Sequence, residues 1–417
     1  MAAARMRESI TSRRARGPGV CYAALHSPGM PTAPNRAPLD RLASLIPPEI
    51  LPLFDDVFVR SCDLLVEYVA RLAAAAFRST GLAEAWVEPA TVDEAIARAG
   101  LAPDVARVPA AWLLATLAAH GWAERVSGTA DSARFRVANP LPALDPEEIV
   151  AAQAANDERC LPSFRIAAMA AERYPAVLRG ELTGEQALFG AEGIVAWSKY
   201  FSNANPLYGI SNAIGAVAAA RALADRGGAV LELGGGLGSG AEALLDRLAS
   251  GVVPTYRFTE LSPLFLRRAE RSLGARFRDR GLEFGPLDID RPFGVAPAAY
   301  ALVYGVNVLH VAHDLAATLV EVRTALAPGG ALVISECVRP FAGRPVYVEL
   351  AFNLLASFRD PVLVPGWRPN GGFLTPEQWT QALAANGFRD VQVYPDIGRI
   401  RETFPQFVVA AVTARRA

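Results

Sequence analysis

The run Ala229-Val-Leu-Glu-Leu-Gly-Gly-Gly-Leu-Gly-Ser-Gly240 constrains this chain more than any other segment. Val230, Leu231 and Leu233 read as a short buried strand. Gly234, Gly235, Gly236 and Gly238 form a tight turn after it, and Ala241 to Leu248 open a helix. Glycine lacks a Cβ, so it accepts positive φ and lets a ligand approach the main chain. Strand, glycine turn and helix in that order predict a nucleotide-binding α/β sheet with its ligand at the carboxyl end of the first strand. Dinucleotide enzymes share the glycine spacing, so Glu232 and the downstream motifs must decide the ligand.

From Ala229 onward strands and helices alternate. Strands are expected at 229–233, 255–260, 282–287, 300–305, 330–336, 390–395 and 405–413, and helices near 239–249, 263–273, 314–327 and 375–387. This alternation predicts a mainly parallel seven-stranded sheet with helices on both faces. The short connector before Gln406-Phe-Val-Val-Ala-Ala-Val-Thr413 predicts an antiparallel final strand.

The 417 residues exceed one ordinary domain, and the sequence divides into four stretches. Residues 1–38 are rich in Arg, Pro, Ala and Ser and read as a disordered tail. Arg13-Arg14-Ala-Arg16 is followed by no apolar core, which disfavours an export signal. In 39–141, an apolar helix over Phe58–Phe77, a Thr91-capped helix ending at Gly100, a helix over Val108–His120 and a hairpin at 121–137 make a winged-helix pattern. Its candidate recognition helix, beginning Pro109-Ala-Ala-Trp-Leu-Leu-Ala, offers no basic residue to nucleic acid. A packing or dimerisation module is the reading, and the helices offer a homodimer surface. Residues 142–225 read as a helical connector, and Tyr200-Phe-Ser-Asn-Ala-Asn-Pro-Leu-Tyr208 as a buried link or a flap over ligand. The α/β domain fills 226–417.

A formal net charge of −1 gives no electrostatic footprint for nucleic acid or anionic lipid. No apolar run is long enough to span a membrane without charge or Pro/Gly breaks. The four cysteines, Cys21, Cys62, Cys160 and Cys337, share no metal-ligand spacing, so no metal is expected and a reducing cytoplasm fits.

Chemistry concentrates at the carboxyl ends of the expected strands. Glu260, followed by Leu261, ends the second strand, where a carboxylate accepts both hydroxyls of a ribose. Asp288 ends the third, where it can accept from an adenine amino group while Ile289 packs on the ring; Asp290 is a weaker candidate. Tyr304-Gly-Val-Asn-Val-Leu-His310 ends the fourth strand, and Glu336 ends the fifth beside it. A carboxylate bonded to one ring nitrogen of His310 fixes the tautomer and leaves the other nitrogen as a base. His313 reads as an exposed helix-start residue.

Glu-Leu-Gly-Gly-Gly-Leu-Gly (232–238), Phe-Thr-Glu-Leu-Ser (258–262), Leu-Asp-Ile-Asp (287–290), Asn-Val-Leu-His (307–310) and Leu-Ala-Pro-Gly-Gly-Ala-Leu (326–332) resemble class I S-adenosylmethionine methyltransferases. Tyr-Pro-Ala-Val-Leu-Arg-Gly-Glu (174–181), Leu-Phe-Gly (188–190) and Leu-Thr-Pro-Glu-Gln-Trp (374–379) resemble the C-methyltransferase domain of polyketide synthases in particular. The likeness covers about 165–415. It departs at Glu260, where aspartate is more usual, and in the absence of fused synthase modules, so a free-standing enzyme is expected.

The resemblance implies S-adenosylmethionine as cofactor, held by Glu232, Gly234, Gly236, Gly238, Glu260, Leu261, Asp288, Ile289 and Asn307. It implies His310 as the base, held by Glu336, that deprotonates the carbon receiving the methyl group. The acceptor would be a polyketide-like or β-keto compound in natural-product biosynthesis, free or as an acyl group on a carrier protein. Tyr304 or Asn307 would steady the enolate oxygen. Tyr200, Tyr208, Phe352 and Trp367 would line the acceptor site, with Val346–Phe373, including Phe358 and Phe373, as an apolar lid or as core.

Winged-helix O-methyltransferases resemble the chain at Leu-His (309–310) and Ser-Glu-Cys-Val-Arg-Pro (335–340). They keep O-methylation of a phenolic or hydroxylated natural product as an alternative. Their usual Asp-Trp after the histidine is replaced by Val311-Ala312.

Overall fold

The computed structural model describes residues 42–417 except 130, 131, 225 and 226. The tail assigned to 1–38, with Cys21, lies outside the described residues, as do two residues of the hairpin turn.

The glycine run folds as its composition dictates. Strand β3 (Val230–Leu233) is buried along its whole length, and α9 (Ser239–Arg247) begins directly after Gly238. In chain order the sheet adds β4 (Tyr256–Thr259), β5 (Leu282–Gly285), β6 (Tyr300–Val306), β7 (Leu326–Cys337), β8 (Phe388–Tyr394) and β9 (Val409–Arg416). Spatial order is β5-β4-β3-β6-β7-β9-β8. Pairings among β3 to β7 are parallel, and β9 runs antiparallel to both its neighbours. The expected mainly parallel seven-stranded sheet with an antiparallel last strand is therefore the observed one. The strand order reverses between β3 and β6, where carboxyl ends part and leave a crevice for ligand.

Local chemistry starts the helices between the strands. Helix α10 (Pro263–Arg276) has Ser262 as its cap and Pro263 in its first turn, where a missing N–H is harmless. Helix α11 (Leu315–Ala325) is capped by Asp314, and α12 (Pro376–Ala385) by a Thr375/Gln378 capping box. Strand β9 begins four residues later than the apolar pattern suggests. Phe404 and Phe407 stack on each other as buried loop residues ahead of it, so apolar character there reflects core packing without ladder pairing.

The amino-terminal part is helical. It holds α1 (Asp56–Ser79), α2 (Val92–Arg98), α3 (Pro103–Ala119), the antiparallel hairpin β1 (Ala123–Ser127) with β2 (Arg134–Val137), then α4 (Glu147–Asp157), α5 (Leu161–Leu178), α6 (Gly184–Phe189), α7 (Ala191–Tyr200) and α8 (Pro206–Leu223). Thr91 caps α2 in a reciprocal box with Glu94. Helix α3 starts at Pro103, ahead of the expected Val108, because Pro103 supplies a preset first turn and Pro109 is tolerated farther in. Among the described residues no single helix is long and apolar enough to cross a membrane.

Two apolar cores result. The sheet core takes in Leu42, Ile46, Ile50, Phe54 and Phe58 from the first described residues. The helical core takes in Val346, Leu350, Phe358 and Phe373 from the segment after β7. Each core thus recruits chain from the other end of the sequence. Gly215 lets α8 lie directly on the sheet: a Cβ there would sit 2.8 Å from Ser335 Cβ and 3.0 Å from the Tyr304 hydroxyl.

Candidate active site

The carboxyl ends of β3, β4, β6 and β7 share one rim, and each carries a residue singled out in the sequence. Gly234, Gly236 and Gly238 adopt φ of +55°, +57° and +90°, a region closed to most side chains. A Cβ at Gly235 would lie 2.2 Å from the Phe258 ring. The loop is therefore glycine for two reasons, its backbone conformation and its contact with β4.

Glu260 braces this loop from β4. One carboxylate oxygen accepts from Gly236 N–H at 2.9 Å, and the other accepts from Ser262 N–H at 2.7 Å. Leu261 beside it is 61% exposed. Asp288 and Ile289 are half-buried after β5; Asp288 accepts from Asp290 N–H at 3.0 Å. Glu232 lies beneath the loop, fully buried, and accepts from the Tyr256 hydroxyl at 3.0 Å. Burial pushes its carboxyl up to about 8, against the opposing pull of the Tyr256 hydroxyl. Exposed His313 donates its N–H to Asp290 at 2.8 Å, one residue before the α11 cap.

The β6 and β7 ends meet at His310 and Glu336. The ring Nδ1 lies 2.6 Å from Glu336 Oε2. Glu336 Oε1 accepts from Val308 N–H at 3.2 Å and Leu309 N–H at 2.8 Å. The carboxylate thereby holds the turn that carries the histidine as well as the ring itself. Since the carboxylate accepts, Nδ1 carries the proton and Nε2 offers a lone pair. Asn307 completes the junction in a left-handed conformation (φ +52°) that asparagine tolerates. Its N–H donates to Ser335 O and its Oδ1 accepts from Cys337 N–H, each within 2.8 Å.

Arg368 was not legible as a site residue. The residue is 1% exposed, and its guanidinium donates to His310 O at 2.8 Å and Ala312 O at 2.7 Å. Burial pulls its pKa down to about 10. It clamps the far side of the histidine turn with a permanent planar fork. Its neighbour Trp367, expected at the acceptor, packs instead in the sheet core.

His310 opens onto a partly open, mostly apolar cavity of about 140 Å³. Tyr200, Tyr208, Phe352 and Phe373 line it, with Trp197 and Leu350. The His310 and Phe373 ring centroids are 4.7 Å apart. Burial pushes the Tyr200 and Tyr208 hydroxyls up, and Tyr208 bonds to Asn307 and Ser239, where cavity and glycine loop meet. Tyr304 does not reach this space. Residues along a strand alternate faces, and its hydroxyl is buried against α8 without a hydrogen-bond partner. Among the described residues no cluster of His, Cys, Asp or Glu is arranged to hold a metal ion.

A family profile described as a methyltransferase domain matches residues 231–332, the stretch from β3 into β7. That stretch is a methyltransferase domain. It is similar to highly reducing polyketide synthase 2 of Gibberella zeae, 29% identical over 260 residues, which cover 58% of this chain and 10% of that protein. Polyketide synthase ThaG of Burkholderia thailandensis is 34% identical over 189 residues, 43% of this chain and 3% of that protein. The methyltransferase thus spans a small fraction of the length of these relatives. Among solved structures, the CurJ carbon methyltransferase matches with a TM-score of 0.72 at 23% identity, covering 92% of this chain and 97% of that one. The citrinin polyketide synthase CMeT domain matches at 0.67 and 18%, covering 93% and 98%. The shared architecture includes the helical part as well as the sheet.

Proposed function

We propose that this methyltransferase uses S-adenosylmethionine to methylate an acidic carbon of a β-keto or polyketide-like acyl substrate, free or carrier-bound. The observation that carries the reading is the buried His310–Glu336 pair, set between the glycine loop and an apolar cavity. The residues present suit the cofactor. The loop brings main chain close to a ligand, Glu260 offers a carboxylate for ribose hydroxyls, and Asp288 with Ile289 offers an acceptor and an apolar surface for adenine. Bound there, the cofactor supplies an electrophilic methyl group on sulfur.

The chain's own task is to present a nucleophile. A carbon between two carbonyls is acidic enough for imidazole to deprotonate when the two are held in contact. His310 Nε2 takes the proton from that carbon. Glu336 keeps the ring in the required tautomer and stabilises the imidazolium as it forms. A placed base of this kind contributes about 10²- to 10⁴-fold. Orienting the reactants adds on the order of 7 kcal/mol or more in favourable cases. Phe352, Phe373 and Trp197 exclude water from the cavity and match an alkyl or enoyl chain. Asn307 and the Tyr208 hydroxyl stand where cavity meets loop, suited to hold the acceptor's carbonyl. The helical part (α1 to α8) closes the acceptor side, a packing role in place of DNA recognition.

The direct test uses trideuteromethyl cofactor with a β-ketoacyl thioester, and mass spectrometry and NMR to locate the label. Label on the carbon between the carbonyls is expected. Label on oxygen would replace this reading with O-methylation.

A further inference from the structure

The cavity wall that follows β7 is mostly irregular chain, so side chains have to set its shape. Between Val338 and Phe373 the helices are single turns, Glu349–Phe352 and Ala356–Arg359. Yet this segment brings Tyr347, Leu350, Phe352 and Phe373 to the cavity. One buried ion pair ties it together. Glu349 is 2% exposed and Arg339 is 8% exposed. Arg339 Nη2 donates to Glu349 Oε1 at 2.5 Å, and Glu349 Oε2 accepts from Val346 N–H at 2.8 Å. Arg339 follows closely on Glu336, and it also donates to Arg344 O at 2.6 Å and Phe373 O at 3.2 Å.

The pair reaches two parts of the lining. Glu349 opens the turn that carries Leu350 and Phe352. Arg339 holds the carbonyl of Phe373, whose ring centroid lies 4.7 Å from that of His310. A further hold comes from the amino-terminal helices. Trp112 Nε1 on α3 donates to Glu349 Oε2 at 3.0 Å, and the Tyr174 hydroxyl on α5 donates to Leu350 O at 2.8 Å. Gly372 leaves room for the carboxylate: its φ is +80°, and a Cβ there would lie 3.1 Å from Glu349 Oε1. With an arginine, an indole N–H and a main-chain amide as donors, the carboxylate is matched within the chain and calls for no ligand of its own. A buried polar network whose members are all satisfied rigidifies what it joins. Here it joins β7's end, α3 and the cavity wall.

We propose that Arg339 and Glu349 are positioning residues for the acceptor: through the Phe373 carbonyl and the Leu350–Phe352 turn they fix the space an acyl chain occupies beside His310. Trp112 brings the helical part into the same arrangement, so acceptor selectivity depends on a residue of α3 outside the cavity lining. The inference rests on the acceptor reading above and adds three residues that do not touch the acceptor in it. Removing one charge would leave the other buried and unpaired, which destabilises a fold whatever else the pair does. Replacing both by apolar groups commonly leaves stability intact, so a neutral double variant separates positioning from folding. A short acyl chain has few contacts besides those near the base, and a misplacement of about 1 Å can lower a rate by as much as about 10²-fold. A loosened wall should therefore be felt most by short acceptors.

Methyl transfer by the full chain to acetoacetyl and β-ketodecanoyl thioesters, with Tm and cofactor Kd measured on each protein, tests this. In Arg339→Met/Glu349→Leu, kcat/KM should fall about tenfold for the short acceptor and no more than about threefold for the long one, with cofactor Kd within about twofold of the wild type. Trp112→Phe removes one N–H and keeps an aromatic ring. It should shift the same short-to-long ratio in the same direction by about twofold, which keeps the idea falsifiable if the double variant does not fold. A folded double variant with the wild-type ratio would overturn the inference, because a pair that served stability alone would leave selectivity where it was. If the double variant does not fold, an unchanged ratio in Trp112→Phe would overturn it instead. Failure of the wild type to methylate either thioester would remove the acceptor reading on which it rests.

Discussion

The two sides of His310 are built differently. Toward β3, β4 and β5 the rim presents main-chain amides and carboxylates: the glycine loop, Glu260 braced on it, and Asp288 half-exposed beyond. Toward the helical core the same histidine faces mostly rings and aliphatic chains, among them Trp197, Leu350, Phe352 and Phe373, with a few hydroxyls such as those of Tyr200 and Tyr208. A polar, partly exposed surface suits a charged, hydrogen-bonding cofactor that must enter and leave. A mostly apolar cavity suits an acyl chain, and its low polarity raises the strength of the electrostatic contacts made inside it. The difference teaches where the base of the proposed reaction has to stand. His310 stands at the boundary, its Nδ1 held by the buried Glu336 of β7.

Substitutions that act on one side alone should sharpen this contrast. The largest effect is expected at the boundary: His310→Ala should lower kcat by about 10²- to 10⁴-fold and leave cofactor affinity within threefold. Loss of cofactor binding in that variant would break the division. On the polar side, Gly235→Ala forces a methyl group into the Phe258 ring, and overpacking of this kind costs about 1–3 kcal/mol. Cofactor affinity should fall at least tenfold by titration, with acceptor KM little changed.

Behind the turn, Arg368→Met should leave the His310 and Ala312 carbonyls without their donors and reduce kcat about tenfold. Arg368→Lys should recover part of that loss. Because the effect is on positioning, the cofactor Kd should hold in both variants; a parallel loss of kcat and cofactor binding would mark a general folding defect. On the apolar side the smallest change is expected. Phe352→Ala should raise acceptor KM several-fold for short acyl chains and less for long ones, which fill the space the ring leaves. Unchanged chain-length preference would remove the cavity from the account.

Much of this was legible in the sequence, for physical reasons that differ by element. The sheet declared itself because apolar runs, glycine turns and capping residues are local signals, and parallel topology then forces carboxyl ends onto one rim. That is why His310 and Glu336, 26 residues apart, were predictably neighbours. Residues whose position depends on which way a strand or loop faces were not legible. Tyr304 lies on the correct strand end but on the face toward Gly215, and Trp367 turns into the sheet core while Arg368 beside it reaches the histidine turn. The packing of Leu42 to Phe58 on the sheet was invisible as well, since an apolar helix does not announce which core it joins.

The central claim is that His310 removes a proton from the acceptor carbon. It is tested most directly by exchange without transfer. The protein, saturated with S-adenosylhomocysteine in deuterated water, should catalyse incorporation of deuterium between the carbonyls of a β-ketoacyl thioester, followed by NMR. The wild type should exchange well above the solvent rate and His310→Ala should fall to that rate. Equal exchange by both proteins would contradict the account.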